Sequence, residues 1–348
     1  MRDPFLSAPY VDDLLHQPEA LRDTLAALAG ADFAPLAEFG DRLRRGSLRR
    51  VVLTGMGASF HALHPLLLGL LARGLPAQMM ETAELVHHAS GLLSADTLVV
   101  AVSQSGASAE TLRLLERTPR PVLAAVTNTP GSPLAGAAGA LLLTRAGSET
   151  TVSCKTYLAA LAALAVLEAL LTGADPAETL AGLQGLPEAV AGYFSGLEGY
   201  LDLLAGPLAG VTYLALVGRG ASLAAAGAGG LIVKEAAHFP AEGMSSAAFR
   251  HGPLEMASPQ TFVLVYEGRD PTRALNRGLA ADIREAGGKA ALVESSPELG
   301  VFHLPTAPAV GLPILEMLPA QVLSLALARL HGRIPGRFSH GSKVTTRE

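Results

Sequence analysis

Apolar runs of five to seven residues recur along the chain, and between them lie longer stretches whose apolar positions return at helical spacing. The order of these runs is repeated. VVLTGMGAS (51–59) is matched by LALVGRGAS (214–222), each an apolar run leading into Gly-x-Gly-Ala-Ser and then a small-residue helical pattern. A second run follows in each half, TLVVAV (97–102) and TFVLVY (261–266), and then a third, PVLAAVT (121–127) and KAALVES (289–295). A strand covered on both faces by helices has no polar side to show, so it reads as a continuous apolar run rather than an alternation. Runs this short fit strands better than buried helices. Two copies of the strand–helix pattern predict an α/β protein of two tandem, doubly wound, three-layer αβα lobes with parallel sheets, related by internal duplication. The predicted divisions are a helical leader (1–39), a first lobe (40–172), a Gly/Pro-punctuated helical linker (173–205), a second lobe (206–330) and an irregular tail (331–348).

At 348 residues, 49% of them hydrophobic and 16% charged, the chain is too long for one small core and has the material for two buried sheets. Its net charge is −5, from 26 basic and 31 acidic residues, with no basic block. Binding a nucleic-acid backbone needs clustered positive charge, so no nucleic-acid partner is expected. A lone cysteine, Cys154, excludes an internal disulfide and fits a reducing compartment. The opening MRDPFLSAPYVDDLL carries early acids and no unbroken apolar core, which is unlike a signal peptide. The most apolar segment, Tyr157 to Leu171, is 15 residues long and contains Glu168; it is short for a bilayer and reads as a buried helix. A cytoplasmic protein with no membrane partner is the expectation. One bias changes how the cations are read. Only four of the 26 basic residues are lysines, Lys155, Lys234, Lys289 and Lys343. A chain that places positive charge with arginine by default keeps a lysine where a compact, deprotonatable amine is useful.

In a doubly wound sheet, ligands bind beyond the carboxyl ends of the strands. After its second strand the first copy reads Ser103-Gln104-Ser105-Gly106-Ala107-Ser108, followed by Glu110 and Thr111 at a helix start. Short hydroxyls, a glycine and free amides make a neutral cradle for a phosphate dianion. The same residues also describe an ordinary serine-rich turn with a capping serine. The second copy has Glu267-Gly268-Arg269-Asp270 at that place, acid where an anion would sit, so the first lobe is read as the anion binder. Gly55-x-Gly57 raises a dinucleotide fold as a rival, with Glu81 near the ribose distance. Against it, Phe60 stands where the third glycine is required, and Leu223 stands there in the second copy.

AGSETTVSCKTY holds Glu149, Ser153 and Lys155 between an apolar strand (139–143) and the buried helix, and it serves equally as a ligand loop or a helix-start loop. In the second lobe Lys234 and Glu235 follow Leu231, Ile232 and Val233 on an apolar helix, which leaves Glu235 little polar face. Half-burial raises a carboxyl's pKa and suits it to move protons near neutrality. His251, set before Gly252-Pro253 in a rigid turn, is the side chain best matched to proton transfer at pH 7. Singly each of these is more often structural; together they form a candidate site. No His/Cys cluster has metal-ligand spacing, so neither a metal nor an organic cofactor is implied.

Taken together, these residues resemble the sugar isomerase (SIS) domain superfamily, and within it the isomerase half of the glutamine–fructose-6-phosphate aminotransferases (glucosamine-6-phosphate synthases) and their stand-alone relatives. The resemblance runs from HQPEALRDTL (16–25) to SKVTTRE (342–348). Its most specific pieces are SQSGASAET, the His251-Gly-Pro placed 16 residues after Glu235, and the terminal Lys-Val-Thr. It implies that the SQSG-type loop holds a sugar phosphate through Ser103, Gln104, Ser105 and Ser108, and that Ser59 and Ser153 touch the sugar. It further implies a proton-moving carboxylate at Glu235, a ring-opening histidine at His251 and a Schiff-base-forming lysine at Lys343. Dimers of the family place the histidine loop in the partner's site, so a homodimer with shared active sites is implied as well.

The sequence departs from the family at Ile232, where a lysine is usual, at Ala247-Ala248 in place of Gly-Glu, and in the displaced Pro-Arg of PGRFSHGSK. It opens Met1-Arg2, without the cysteine nucleophile of a glutaminase half, so release of ammonia from glutamine by that route is not expected. The implied activity is isomerisation, or isomerisation with deamination, of a hexose 6-phosphate. A non-catalytic sugar-phosphate sensor is the alternative.

Overall fold

The computed structural model describes residues 5–117, 122–294 and 300–347. Its first elements in chain order are α1 (Pro9–Leu15), α2 (Gln17–Ala29), α3 (Ala34–Arg44), β1 (Arg50–Gly55), α4 (Ala58–His61), α5 (His64–Ala72), β2 (Ala77–Glu81), α6 (Thr82–His88), β3 (Thr97–Val102), α7 (Ala109–Leu115), β4 (Leu123–Thr127), α8 (Pro133–Ala137), β5 (Ala140–Leu143) and α9 (Lys155–Thr172). There follow α10 (Pro176–Leu183), α11 (Leu186–Phe194), α12 (Leu197–Leu208), β6 (Tyr213–Gly218), α13 (Leu223–Ala237), β7 (Ala241–Ser245), α14 (Ser246–Arg250), β8 (Thr261–Tyr266), α15 (Arg273–Glu285), β9 (Lys289–Val293), α16 (Leu312–Leu315) and α17 (Met317–Leu330). Every predicted strand is present. Pro121 and Ser295, at the ends of two predicted strands, lie outside the described residues, as do Met1-Arg2 and Glu348. The pattern did not announce β2 and β7. Both are edge strands, and their mixed, half-exposed residues carry neither a continuous apolar run nor a clean alternation.

The strands form two wholly parallel sheets, ordered β2-β1-β3-β4-β5 and β7-β6-β8-β9. Each belongs to its own compact unit. One unit takes Glu19–Ser148, Lys155–Gly185 and the chain from Gly341 on; the other takes the described residues up to Pro18, Glu149–Cys154 and Leu186–His340. The predicted leader, linker and tail therefore each divide between the two. The cause is long-range packing that no local pattern carries. Tyr10 Oη pairs with Ser324 Oγ at 3.1 Å, and the Gln17 and Gln321 amides bond each other at 3.1 and 2.8 Å.

In the first sheet the central strand β3 is buried along its whole length. Successive side chains point to opposite faces of a strand. Val52, Val99, Ala101 and Leu123 accordingly pack on one side with Leu85 and Val86 of α6, Leu114 of α7 and Leu134 of α8. α3, α5 and α9 pack against one another and against strands β2, β4 and β5 to complete the third layer. α9 is apolar nearly all round because it is buried nearly all round. Among the described residues it is one of two helical stretches, with Ala309–Leu330, long and apolar enough to cross a bilayer, and each is 83% buried inside the protein.

In the second sheet Ala215, Val217, Val263 and Val265 pack against Phe249 of α14 and Leu279, Ala280 and Ile283 of α15. On the other face α13 lies against β6 and β7, with α17 packed on it. α13 comes so close to β7 that their backbones touch. A Cβ on Gly230 would stand 2.5 Å from the Gly243 amide nitrogen, and one on Gly243 would stand 2.0 Å from the Ala226 carbonyl oxygen. The small residues that the sequence strings along this helix are the condition of that approach. Gly243→Ala, which can be relieved only by moving backbone, is expected to destabilise the protein by about 2–3 kcal/mol in urea unfolding. Gly136→Ala, where an added Cβ meets nothing within 4 Å, is the control and should change stability by about 0.5 kcal/mol or less.

The same lobe buries a carboxyl. Glu316, at the junction of α16 and α17, is 2% exposed and accepts a hydrogen bond from Ser222 Oγ at 2.7 Å. Burial pushes its pKa from 4.5 up to about 7, against smaller opposing effects from Ser222 and from the charge of Arg269. A raised carboxyl pKa means the folded state holds the proton more tightly than the unfolded chain does. Its contribution is therefore fully present below the unfolded value and is lost as pH climbs from there through the folded value, a swing of about 3 kcal/mol. Glu316→Gln is expected to remove that pH dependence and to leave the protein more stable than wild type at pH 8. Denaturation midpoints at pH 5 and pH 8 check both.

Candidate functional site

In the first sheet the chain leaves β1 for β2 on one side and returns to β3 on the other, so the topological switch point lies between β1 and β3. Crevices outside the carboxyl ends of strands at such a point are where α/β sheets bind ligands. Two of the sequence-predicted segments emerge there. Ser59, half-buried, sits in the short α4 just after β1, and Ser103–Ser108 joins β3 to α7.

The serine loop is held from within. Ser103 donates its backbone N–H to the Val126 carbonyl at 3.1 Å, and the Gln104 carbonyl accepts from the Asn128 N–H at 3.1 Å and from both Thr127 and Thr129 hydroxyls at 3.2 Å. These bonds staple the loop to the end of β4. Ser103 Oγ accepts from the Gly106 N–H at 3.1 Å, and Ser105 Oγ accepts from the Ala107 N–H at 3.3 Å. A hydroxyl that accepts from a backbone amide keeps its own proton to donate. Ser103 and Ser105 are thus half-buried donors on a fixed turn. Ser108 also serves the helix. It caps α7, accepting from the Thr111 N–H at 3.3 Å and pairing with Thr111 Oγ1 at 2.9 Å.

Gly106 makes the turn possible. Its φ is +62°, and a Cβ there would stand 2.2 Å from Ser132 Oγ. Its carbonyl in turn accepts from the Leu134 N–H at 3.1 Å. The chain's tail reaches the same loop, where the Ala109 N–H donates to the Thr345 carbonyl at 3.1 Å. That bond anchors half-buried Lys343, two residues away, in the unit of the serine loop.

The second unit holds the other candidates. Glu235 is half-buried in the last turn of α13, beside exposed Lys234. Ile232, at the family's lysine position, is fully buried in the core. α13 ends at His238, left-handed at φ +48°, whose ring meets the Arg337 carbonyl and the Arg333 guanidinium, both at 3.1 Å. The Gly336 N–H donates to the Ala236 carbonyl at 3.1 Å, so the chain after α17 caps the end of α13.

Tyr10 packs into this corner, with its Cβ 2.6 Å from where a Gly336 Cβ would stand. Its phenol is fully buried, and its pKa is pushed well above 10, first by burial and then by the charges of Cys154, Glu235 and Glu149. Nearby in the chain, Glu149 Oε1 accepts from the Cys154 N–H at 2.9 Å and from its thiol at 3.5 Å, which closes the turn that carries half-buried Ser153. His251 is exposed, directly after α14, and Gly252 beyond it has φ +145°.

The candidates therefore fall into two sets. Ser59, Ser103, Gln104, Ser105, Ser108 and Lys343 lie in the unit of the first sheet, and Ser153, Glu235 and His251 in that of the second. Three participants were missed by sequence reasoning. Asn128 and Thr129 follow β4 directly, and the switch-point rule that found Ser103 would have found them. Asn128 is a hub: its side chain accepts from Thr144 Oγ1 (3.0 Å) and the Ala146 N–H (2.7 Å) and donates to the Gly147 carbonyl (2.7 Å). Tyr10 carried no signal, since its neighbours come from far along the chain.

Comparison with known proteins agrees with the duplicated fold. The SIS domain model matches residues 47–170 and 208–329, one copy on each sheet. The isomerizing glutamine–fructose-6-phosphate aminotransferase of Gloeobacter violaceus is 30% identical over 341 residues, covering 92% of this chain and 55% of that one. The corresponding protein of Pyrococcus horikoshii is 28% identical over 354 residues, covering 97% and 57%. The chain thus spans about half the length of the curated relatives it matches. Among solved structures, the C-terminal domain of glucosamine-fructose-6-phosphate aminotransferase from Francisella tularensis superposes with a TM-score of 0.82 at 20% identity over 98% of each chain. Tagatose-6-phosphate ketose/aldose isomerase from Escherichia coli superposes at 0.78, with 20% identity over 96% of each. These structural likenesses establish the duplicated αβα fold. With a family match on both copies that takes in most of its length, the chain belongs to the SIS-domain family.

Proposed function

We propose that the protein is a phosphosugar isomerase, or an isomerase that also deaminates the amino sugar, acting on hexose 6-phosphates. The observation that carries this reading is the serine loop at the first switch point, where Ser103 and Ser105 each accept a backbone amide and keep a hydroxyl proton to donate. A phosphate dianion accepts from such donors without needing a lysine. Relatives named for fructose 6-phosphate and for a ketose/aldose isomerase support the same substrate class. In this reading Ser103, Gln104, Ser105 and Ser108 hold the phosphate, and Ser59 and Ser153 contact the sugar. His251 opens the ketose ring: O2 loses its proton, the C2–O5 bond breaks and O5 gains a proton. Glu235 then takes the proton from C1 and returns it to C2 as the hydroxyl proton passes from O1 to O2, while Lys343 holds or polarises the C2 carbonyl. The protein works as a homodimer whose histidine loop completes the partner's site.

Five outcomes test this. Ser105→Ala removes one donor from the dianion and is expected to raise KM for fructose 6-phosphate roughly tenfold to a hundredfold, with kcat changed less. An unchanged KM takes the loop out of the site. Glu235→Gln should lower kcat about 10²–10⁴-fold while calorimetry still shows binding of fructose 6-phosphate. Mixing Glu235→Gln with His251→Ala subunits should restore part of the activity, and a fully active monomer would rule out the shared site. Borohydride added with substrate should leave a sugar adduct on Lys343, seen by peptide mass spectrometry. No adduct, together with a Lys343→Arg variant that keeps most of its activity, reduces the lysine to a fixed charge. Hexose 6-phosphates and 2-amino forms that bind without turnover, followed by NMR, would turn the reading to a non-catalytic sensor.

A further inference from the structure

The last turn of α13 carries Glu235, and it is held from outside the helix. A helix leaves its last carbonyls without partners of its own, and such ends fray. Here the Ala236 carbonyl accepts from the Gly336 N–H at 3.1 Å, in the segment that follows α17. Phe239, just beyond the helix, has its ring centroid 5.3 Å from that of His331 in the same segment. The segment is itself fixed. The Arg333 N–H donates to the Ala328 carbonyl of α17 at 2.8 Å, and a Cβ on Gly336 would stand 2.6 Å from Tyr10 Cβ of α1.

Among these contacts stands His238, the residue that ends α13. It is one of two non-glycine residues with positive φ among the described residues, at +48°. Glycine takes that conformation at helix ends without strain, whereas a larger residue there must be kept by its surroundings. His238 is exposed, so burial does not keep it. Its ring does. Nδ1 lies 3.1 Å from Arg333 Nη1, and Nε2 lies 3.1 Å from the Arg337 carbonyl oxygen. A guanidinium only donates, so Nδ1 accepts; the ring proton then sits on Nε2, which donates to the Arg337 carbonyl. Both nitrogens are used, and both partners belong to the segment after α17. A glycine would satisfy the backbone and give up both bonds.

We propose that His238 is a positioning residue for Glu235: its ring latches the last turn of α13 to Arg333 and Arg337 and so fixes where the carboxylate stands. A base that moves a carbon-bound proton must lie within hydrogen-bond reach of it, and a displacement of about 1 Å costs about 10²-fold in rate. This bearing on the reaction rests on the reading of Glu235 as the base; the latch itself does not.

His238→Gly separates the ring from the backbone, since glycine keeps the left-handed turn. It is expected to lower kcat with fructose 6-phosphate about tenfold or more. Calorimetric affinity for fructose 6-phosphate should stay unchanged, because Ser103 and Ser105 lie in the other unit. Arg333→Met should give part of the same loss, and the double variant no more than His238→Gly alone. In a Glu235→Gln background His238→Gly should cost nothing further. Amide hydrogen exchange reads the latch without turnover: exchange at Ala236 and Ala237 should quicken about tenfold in His238→Gly. Unchanged exchange would overturn the latch, whatever Glu235 does. Faster exchange with an unaltered kcat would overturn its part in catalysis, as would a full further loss in the Glu235→Gln background. Affinity that fell in step with kcat would mean general loosening in place of positioning. Full activity of Glu235→Gln would remove the base, and with it the positioning role, while exchange would still decide the latch.

Discussion

A parallel strand covered by helices on both sides has no face to give to water, and both sheets are organised by that constraint. β3 and β8 are buried along their whole length, so no polar chemistry can be placed on them. It is pushed to the strand ends, where the chain turns out of the sheet and backbone groups need new partners. The serine loop answers that need with side chains: Ser103 and Ser105 take the amides of Gly106 and Ala107, and the Gln104 carbonyl takes three donors from the residues after β4. The corresponding end of β8 answers it with Asn276, whose Nδ2 donates to the Glu267 carbonyl at 3.0 Å. One architecture thus yields hydroxyl donors beyond β3 and a buried carboxylate, Glu267, beyond β8. The difference lies in the few residues that follow the second strand of each copy.

The requirement for close layers explains much of the chain's composition. α13 meets β7 through Gly230 and Gly243, and Gly106 tucks its turn against Ser132. A helix such as α13 therefore gains little from helix propensity, because its glycines weaken it in isolation. What it gains is contact with two elements at once, β7 and α17. The same contact fixes where its C-terminal turn ends, and with it the position of Glu235.

Legibility of the fold followed the same physics. The inner strands were plain in the sequence, because burial on two faces writes itself as a continuous apolar run. β2 and β7 were not, because their half-exposed residues carry no continuous apolar run, unlike those of the edge strands β5 and β9, and Gly243 in β7 reads as a turn rather than a strand. The serine loop was readable because its hydroxyls are consecutive and follow a strand directly. Its internal division, with Ser108 capping α7 and Ser105 presenting a donor, required coordinates. Tyr10 and Glu316 were illegible for a different reason. Each owes its character to burial by residues distant in the chain, Ser324 in one case and Ser222 in the other.

Stability alone would not choose the carboxylates of the second lobe. Glu235 stands in the last turn of α13, where the helix dipole disfavours negative charge and favours a cation such as neighbouring Lys234. Glu316 is sealed from water, with one oxygen unpartnered, at a position where a glutamine or an apolar residue of similar volume would fold at less cost. Departures of this kind mark places where function outweighs the folding optimum. In the proposed reaction Glu235 has a carbon-bound proton to move, which gives its placement a purpose.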